Sequence, residues 1–507
     1  MTMKSRAIEI MDTTLRDGEQ TSGVAFPAGE KLALAQLLLN ELQVDRIEIA
    51  SARVSEGELK AVKEISSWAK KENKLHQIEV LTFLDGGPSL QWMQETEVIT
   101  QNLLTKGSLN HLKHQLKQTP EAHFKAVREH VSAAKKMGIE TNVYLEDWSN
   151  GMQNSPEYVW AYLEVLSQLP IKRILLPDTL GVLSPDETYA FLDAIIKRYP
   201  HCHFDFHGHN DYDLSVANAM AALKAGVHGL HLTVNGMGER AGNAPLASAI
   251  AVINDFMPQC HTNINEKALY KVSKLVAAFT GFRIPINKPI VGANVFTQTA
   301  GIHADGDSKN NLYFNDLLPE RFGRKRKYAL GKTSGKSNIQ KNLAELGIQL
   351  NDAEVKLVTQ RIIELGDKKE RVTLDDLPFI ISDVLESTAS EQNIKILSYV
   401  LTHAKGLQPT ASLSVQIEEE VFEETAAGDG QYDAFLNALH KVYKKQKRTL
   451  PRLIDYEVRI PPGSNSDALC ETSITWKCED KEFSTRGIDT DQTVSAIKAT
   501  EKMLNLF

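Results

Sequence analysis

The stretch His203-Phe-Asp-Phe-His207-Gly-His209 alternates aromatic and polar side chains, the period-two signature of a strand. Upstream of it lie Arg173-Ile-Leu-Leu-Pro177, Thr141-Asn-Val-Tyr-Leu145, Val98-Ile-Thr-Gln-Asn-Leu103, Ile78-Glu-Val-Leu-Thr82, Arg46-Ile-Glu-Ile-Ala50 and Ile8-Glu-Ile-Met-Asp12. Downstream lies Leu230-His-Leu-Thr-Val234, which completes a set of eight. Amphipathic segments separate the runs. Glu30 to Leu42, for example, carries Leu32, Ala35, Leu38, Leu39 and Leu42 at three- and four-residue spacing. Strand and helix in alternation imply parallel strands joined by right-handed crossovers. Eight such units in about 270 residues predict a (β/α)8 TIM barrel. The competing arrangement is a doubly wound open sheet, but the chain has no Gly-rich dinucleotide or P-loop signature to go with it.

The whole chain has 507 residues and a formal charge of -8, from 57 Lys+Arg against 65 Asp+Glu. At roughly 150 residues per domain this suggests about three domains, of which a barrel takes the largest share. The mild acidity argues against nucleic acid or an anionic membrane as the main partner. Four cysteines, Cys202, Cys260, Cys470 and Cys478, are too scattered for a disulfide framework. The first residues run directly into a strand without a signal-peptide apolar region. No apolar run approaches the ~18–20 residues that span a bilayer. The expectation is a cytoplasmic, multi-domain protein.

Past residue 280 the strand–helix rhythm stops. Pro285, Pro289, Gly292 and the stretch from Gly301 to Asn311 read as loop. Residues 350–405 read as two or three helices, including Asp352 to Leu365 and a run beginning Pro378-Phe-Ile-Ile. From 409 onward strands are expected at Ala411–Ile417, Arg452–Ile460, Leu469–Cys478 and Lys481–Arg486, with helices at Tyr432–Val442 and after Asp491. The predicted organisation is a barrel over 1–275, a helical linker region over 276–405 and a small α+β regulatory domain over 406–507. The basic runs Arg324-Lys-Arg-Lys327 and Lys444-Lys-Gln-Lys-Arg448 read as solvated surface, the first with nucleotide phosphates as the sharper alternative.

Catalytic groups of such a barrel come from the C-terminal ends of the strands. Those ends carry Asp12 to Asp17, Thr82, Leu104, Tyr144 with Glu146, Asp178 with Thr179, His207 with His209, and Asn235 to Asn243. Side chains at i and i+2 of a strand point the same way, so His207 and His209 can face one ion. Asp17, after the first strand and beside the eighth, is the natural carboxylate, and Asn243 offers a carbonyl oxygen. Two histidines and one carboxylate leave open positions for chemistry, and Mg2+, Mn2+, Zn2+ and Co2+ all suit the set. The same ligands also fit an iron oxygenase.

Leu15-Arg-Asp-Gly-Glu-Gln20 with Lys31, His207-Gly-His209-Asn-Asp211 and Gly238-Glu-Arg-Ala-Gly-Asn243 together resemble signatures of the acyl-CoA condensing enzymes, the 2-isopropylmalate, homocitrate and citramalate synthases. The second signature departs from the family pattern at Asp213, where a glycine is usual. The blocks Asn142-Val-Tyr-Leu-Glu-Asp-Trp-Ser-Asn-Gly151 and Glu48-Ile-Ala-Ser-Ala-Arg53 look closest to the citramalate branch. The resemblance implies joining of the acetyl-CoA methyl carbon to the keto carbon of a 2-oxo acid, then thioester hydrolysis. It implies Arg16 as a cation for the developing alkoxide and Glu146 with His303 for deprotonation, His303 reaching the neighbouring subunit's site in a homodimer. Thr179 would bind the substrate carboxylate, and Asn311 and Tyr313 acetyl-CoA. Leu81, Leu104 and Tyr144, ending the third to fifth strands, would wall the substrate tail and favour pyruvate. Gly428-Asp-Gly-Gln-Tyr-Asp433 and Leu453-Ile-Asp-Tyr-Glu-Val-Arg459 resemble effector-binding segments, with Tyr432, Asp433 and Tyr456 near a regulatory amino acid, expected to be isoleucine. The alternatives are a 2-isopropylmalate synthase, a lyase or carboxyltransferase with the same barrel, and an amino-acid sensor without catalysis.

Overall fold

A computed structural model describes residues 5–307, 309, 312–313, 315–367, 372, 374–385, 394–459, 470–479 and 481–506. The chain forms two units, residues 1–296 with 314–326 and residues 297–313 with 327–507.

In the first unit, eight parallel strands close into a barrel in chain order. They are β1 (Glu9–Asp12), β2 (Arg46–Ser51), β3 (Ile78–Phe83), β4 (Thr100–Lys106), β5 (Glu140–Glu146), β6 (Arg173–Asp178), β7 (Phe204–Gly208) and β8 (Gly229–Leu232). Closure is the pairing of β1 with both neighbours, Met11 opposite Arg46 of β2 and Asp12 opposite Leu232 of β8. The outer layer includes α1 (Ala28–Leu37), α2 (Glu56–Lys71), α3 (Pro88–Thr96), α4 (Pro120–Lys136), α5 (Pro156–Leu166), α6 (Pro185–Arg198), α7 (Ser215–Ala225) and α8 (Leu246–Phe256). Local chemistry sets their starts. Pro occupies the first turn of α3, α4, α5 and α6, where its missing N–H costs nothing. Ser184 and Glu187 also form a reciprocal capping box on α6. The leucines expected on one face between Glu30 and Leu42 include buried Leu38, Leu39 and Leu42, which form a π-helical turn after α1.

Inside the barrel, period two turns alternate residues inward, and many of them are charged. The Arg46 guanidinium meets Glu79 at 3.0 Å, Asp205 at 2.5 Å and Glu9 at 3.1 Å, and Arg173 meets Glu9 at 2.7 Å. A second interior group is apolar: Met11, Leu81, Tyr144 and Leu175 pack together with Leu104 against them.

The second unit contains two three-stranded antiparallel sheets. One joins β9 (Ile394–Thr402), β10 (Thr410–Ile417) and β11 (Glu420–Ala427); the other joins β12 (Arg452–Arg459), β13 (Cys470–Cys478) and β14 (Lys481–Asp489). The helices α9 (Gln431–Lys445) and α10 (Gln492–Leu504) share a core with them, in which Val415, Phe435, Leu439, Trp476 and Ile497 are buried. The expected strands and helices of this region are present. Ile460 and Leu469, at the ends of two of them, lie outside the described residues.

Four local expectations need correction. The end of the segment read as helical, Ile394–Thr402, is a strand, because antiparallel pairing with β10 satisfies its backbone and buries Ile394. Glu420–Ala427, not anticipated, pairs with β10 across the tight connection after Ile417. Gly301–Asp307 is a short helix, not a loop; the Gly301 amide donates to the Thr333 carbonyl, and its α-carbon packs closely on Gly335. Arg324 is half-buried rather than solvated. It donates to the carbonyls of Ile290 and Gly292 and stands 4.4 Å over the Tyr270 ring. The second basic run is at the surface, with Arg448 pairing with Glu418 at 3.0 Å.

His123 of α4 is fully buried, with Nδ1 3.0 Å from the Tyr158 hydroxyl. Burial, helped by the Lys106 charge, pushes its imidazole down to about 4. The unfolded chain takes up this proton below pH ~6.5 and the folded chain only below about 4, so stability falls as pH drops through that window. In denaturant unfolding, the wild type is expected to lose about 1.4 kcal/mol more than His123→Phe between pH 7.5 and 5.5.

Candidate functional site

The first βα connection is built to aim one carboxylate. After β1, the amides of Arg16, Asp17 and Gly18 all donate to the Thr13 carbonyl, at 3.1, 2.9 and 3.0 Å. The fully buried Lys31 ammonium anchors the turn through the Leu15 carbonyl at 3.0 Å, with Glu19 and Glu58 each at 2.6 Å. This is why a lysine from α1 belongs to the same motif as the turn. Two strands away, His207 is the penultimate residue of β7 and His209 directly follows the strand, held by an isolated bridge to Asn243.

These elements bring Asp17, His207 and His209 into one buried cluster whose potential ligand atoms lie within 4.8 Å of one another. His207 Nε2 is 3.2 Å and His209 Nε2 is 3.9 Å from Asp17 Oδ2. Four buried polar atoms here lack any hydrogen-bond partner: Asp17 Oδ1, His207 Nδ1, His209 Nδ1 and Asn243 Oδ1. Each orphan of this kind costs about 1–3 kcal/mol. A carboxylate, two imidazoles and an amide oxygen, partly unsatisfied, form a donor set that fits a divalent cation.

The electrostatics agree with that fit. Burial pushes the Asp17 carboxyl up, but Arg16 at 3.1 Å and His207 outweigh it and hold the group well below the usual carboxylate range. Burial and the neighbouring His207 push the His209 imidazole down to about 4, so it is neutral and able to donate a lone pair. Asp12, buried and accepting from the Thr14 amide and hydroxyl, is pushed up to about 7 by its burial.

The other expected residues fall into three groups. Arg16, Tyr144, Leu81 and Leu104 join the cluster's surroundings. Arg16 pairs with Glu48 at 2.6 Å, and its guanidinium lies 5.8 Å from the Tyr144 ring. Tyr144 stands edge-on to His207 with ring centres 6.1 Å apart. Glu146 ends β5, and Thr179 directly follows β6. Glu146 is ion-paired with Lys106, and the Thr179 hydroxyl accepts from the Asp147 amide at 2.8 Å. His303 and Tyr313 belong to the second unit, where their rings lie 4.2 Å apart; Asn311 lies outside the described residues. Also in that unit, Tyr432 and Tyr456 have ring centres 5.4 Å apart, and Asp433 accepts from the Asp429 amide at 2.9 Å.

Sequence reading passed over Glu48, Asn102, Lys106 and His231. Glu48 bridges Arg16 and the Asn102 amide, which donates to it at 2.8 Å. His231 accepts or donates at both nitrogens, to the Tyr144 hydroxyl at 2.8 Å and to Asp205 at 3.2 Å. A polar residue at every second place of a barrel strand, as in Arg46-Ile-Glu48 or Leu230-His231-Leu232, was the available signal.

Asn243 keeps its place because Gly238, at φ +145°, leaves room for the amide; a Cβ there would overlap Asn243 Nδ2. Gly238→Ala is expected to weaken Co2+ binding about tenfold or more, read by calorimetry, with little change in Tm.

Residues 7–276 match the HMGL-like family, 290–370 the homocitrate synthase post-HMGL domain-like family and 371–507 the LeuA allosteric (dimerisation) domain. A protein of Methanopyrus kandleri named an (R)-citramalate synthase is 34% identical over 468 residues, covering 92% of this chain and 89% of its own. The 2-isopropylmalate synthase of Heliobacterium modesticaldum is 32% identical over 509 residues, covering 99% and 97%. The crystal structure of a Bacillus subtilis HMG-CoA lyase aligns with 56% of this chain and 96% of its own, at 19% identity and a TM-score of 0.48. With this barrel and these matches along its length, the chain belongs to the 2-isopropylmalate, homocitrate and citramalate synthase family, acyltransferases that condense acetyl-CoA with a 2-oxo acid.

Proposed function

We propose that the 2-oxo acid is pyruvate, and that the chain forms (R)-citramalate and CoA from pyruvate, acetyl-CoA and water in a cytoplasmic route to isoleucine. The observation that carries this reading is the apolar cluster in which Leu81, Leu104 and Tyr144 pack with Met11 and Leu175, the Tyr144 ring edge facing His207. Such a wall suits a methyl group and crowds the isopropyl group of 2-oxoisovalerate. Each additional carbon is worth about 1–3 kcal/mol of discrimination.

Asp17, His207, His209 and Asn243 would hold a divalent ion, Mg2+, Mn2+, Zn2+ or Co2+. When bound, it supplies Lewis acidity to the keto oxygen, typically worth several kcal/mol. Arg16, held in place by Glu48 and Asp17, would present its guanidinium to the same oxygen. Thr179, whose hydroxyl lone pair is used by the Asp147 amide, keeps its O–H to donate to the substrate carboxylate. Glu146 accepts the proton lost from the acetyl methyl, with Lys106 orienting its carboxylate. Its partner in that step is His303, in the role the family resemblance assigns to the neighbouring subunit's histidine in a homodimer, with Asn311 and Tyr313 beside acetyl-CoA. The new carbon–carbon bond leaves an alkoxide that takes up a proton. Water then cleaves the thioester to carboxylate and free thiol.

A second reading, 2-isopropylmalate synthesis from 2-oxoisovalerate, is favoured by the relatives of that name at similar identity. Thiol release with a panel of 2-oxo acids decides between them. The expected kcat/KM for pyruvate exceeds that for 2-oxoisovalerate by at least about tenfold; the reverse order overturns the assignment. Chelation with EDTA is expected to abolish turnover and added divalent metal to restore it, whereas Asp17→Asn should not recover with any of the four metals.

For control, we propose that isoleucine binds near Tyr432, Asp433 and Tyr456, where two tyrosine rings and a carboxylate offer an apolar wall and an ammonium partner. Calorimetry on the full chain should show isoleucine binding that Asp433→Ala removes. Retained binding in that variant would exclude the site.

A further inference from the structure

Tyr144 raises a structural problem: its ring lines the proposed pocket while its hydroxyl is buried. The side chain is 3% exposed, and a buried phenol without a partner costs about 1–3 kcal/mol. Its hydroxyl meets His231 Nδ1 at 2.8 Å, and His231 Nε2 meets Asp205 Oδ2 at 3.2 Å. Asp205 is fixed in turn by Arg46 at 2.5 Å and by His203 at 2.9 Å. All of Tyr144, His231 and Asp205 lie inside the barrel, on β5, β8 and β7.

The direction of the chain of bonds follows from what each group can do. The Asp205 carboxylate only accepts, so Nε2 of His231 carries the hydrogen. A neutral imidazole then has its lone pair on Nδ1, which accepts from the Tyr144 O–H. The hydroxyl is committed to this bond, and the aromatic ring stands edge-on to His207 at 88° and to His231 at 83°.

We propose that His231 is a positioning residue for substrate selection, locking Tyr144 so that an apolar ring, with its hydroxyl turned away, forms the wall against the tail of the 2-oxo acid. Asp205 fixes the imidazole's orientation and tautomer. Arg46 and His203 fix Asp205. Without His231 the phenol must find another acceptor, and the ring leaves the position that keeps the pocket short. The inference rests on the reading of Leu81, Leu104 and Tyr144 as the tail pocket.

The test uses Tyr144→Phe, which keeps the ring and removes the bond, His231→Phe, their double variant, and His231→Gln. Steady-state kinetics with pyruvate, 2-oxobutanoate and 2-oxoisovalerate are run at saturating acetyl-CoA and Mn2+. Each single variant is expected to raise KM for pyruvate about fivefold, with kcat changed less, and to lower the preference for pyruvate over 2-oxobutanoate by a similar factor. The double variant should be no worse than the poorer single one, because both remove one bond. His231→Gln, whose amide can both donate and accept, should recover part of the loss. Additive losses, an unchanged preference among the three acids, or a fall in kcat alone would overturn the proposal. If His231→Phe does not fold, Tyr144→Phe against His231→Gln gives the same comparison. Should the wild type prefer 2-oxoisovalerate, the pyruvate assignment fails, while non-additivity measured on the preferred acid still decides the role of His231.

Discussion

The interior of the barrel depends on Arg46. A guanidinium in a closed sheet has no route to bulk water, and three carboxylates, Glu9, Glu79 and Asp205, meet it there. Burial opposes each charge, yet Arg46 and its neighbours hold Asp205 far below the usual carboxylate range. Such a group is stable as a complete set and strongly destabilising when one partner is lost. Its value lies in orientation. Because Asp205 cannot move, His231 has one tautomer, and because His231 has one tautomer, the Tyr144 hydroxyl has one acceptor. The order passes from the charged interior to the Tyr144 ring through bonds of 2.5, 3.2 and 2.8 Å.

The cluster of Asp17, His207, His209 and Asn243 follows the opposite logic. The charged interior pairs each charge with an opposite one, whereas this group leaves four buried polar atoms without a hydrogen bond. Proteins seldom tolerate that concentration of unmet hydrogen bonding. Potential ligand atoms of Asp17, His207 and His209 lie within 4.8 Å of one another, and with Asn243 these residues come from the ends of β1, β7 and β8, which meet only when the barrel closes. The strain is local and is supported by the Lys31 anchor on one side and the glycine at 238 on the other.

The second unit has its own core, built from two antiparallel sheets and two helices. The match to the allosteric dimerisation domain falls in this unit, whereas the match to the post-HMGL region also takes in residues 290–296 and 314–326 of the first.

Most of the barrel was legible in sequence because parallel strands recur with helices between them, and a period-two pattern needs no tertiary knowledge to read. The two histidines were legible for the same reason: i and i+2 share a face. The C-terminal domain's strands were readable where polar and apolar residues alternate, as in β10; β9 was missed despite its β-branched and aromatic residues, and β11 because its three glutamates disfavour a strand until β10 pairs with it. The sequence by itself thus determined the fold class, the metal-type ligands and the family. Only the tertiary structure decided which inward residues pair with which, that Glu48 stands behind Arg16, that Lys106 pairs with Glu146, and that His231 secures Tyr144. Those contacts join residues up to 164 positions apart, as with Glu9 and Arg173, and closure of the barrel brings them within bonding distance.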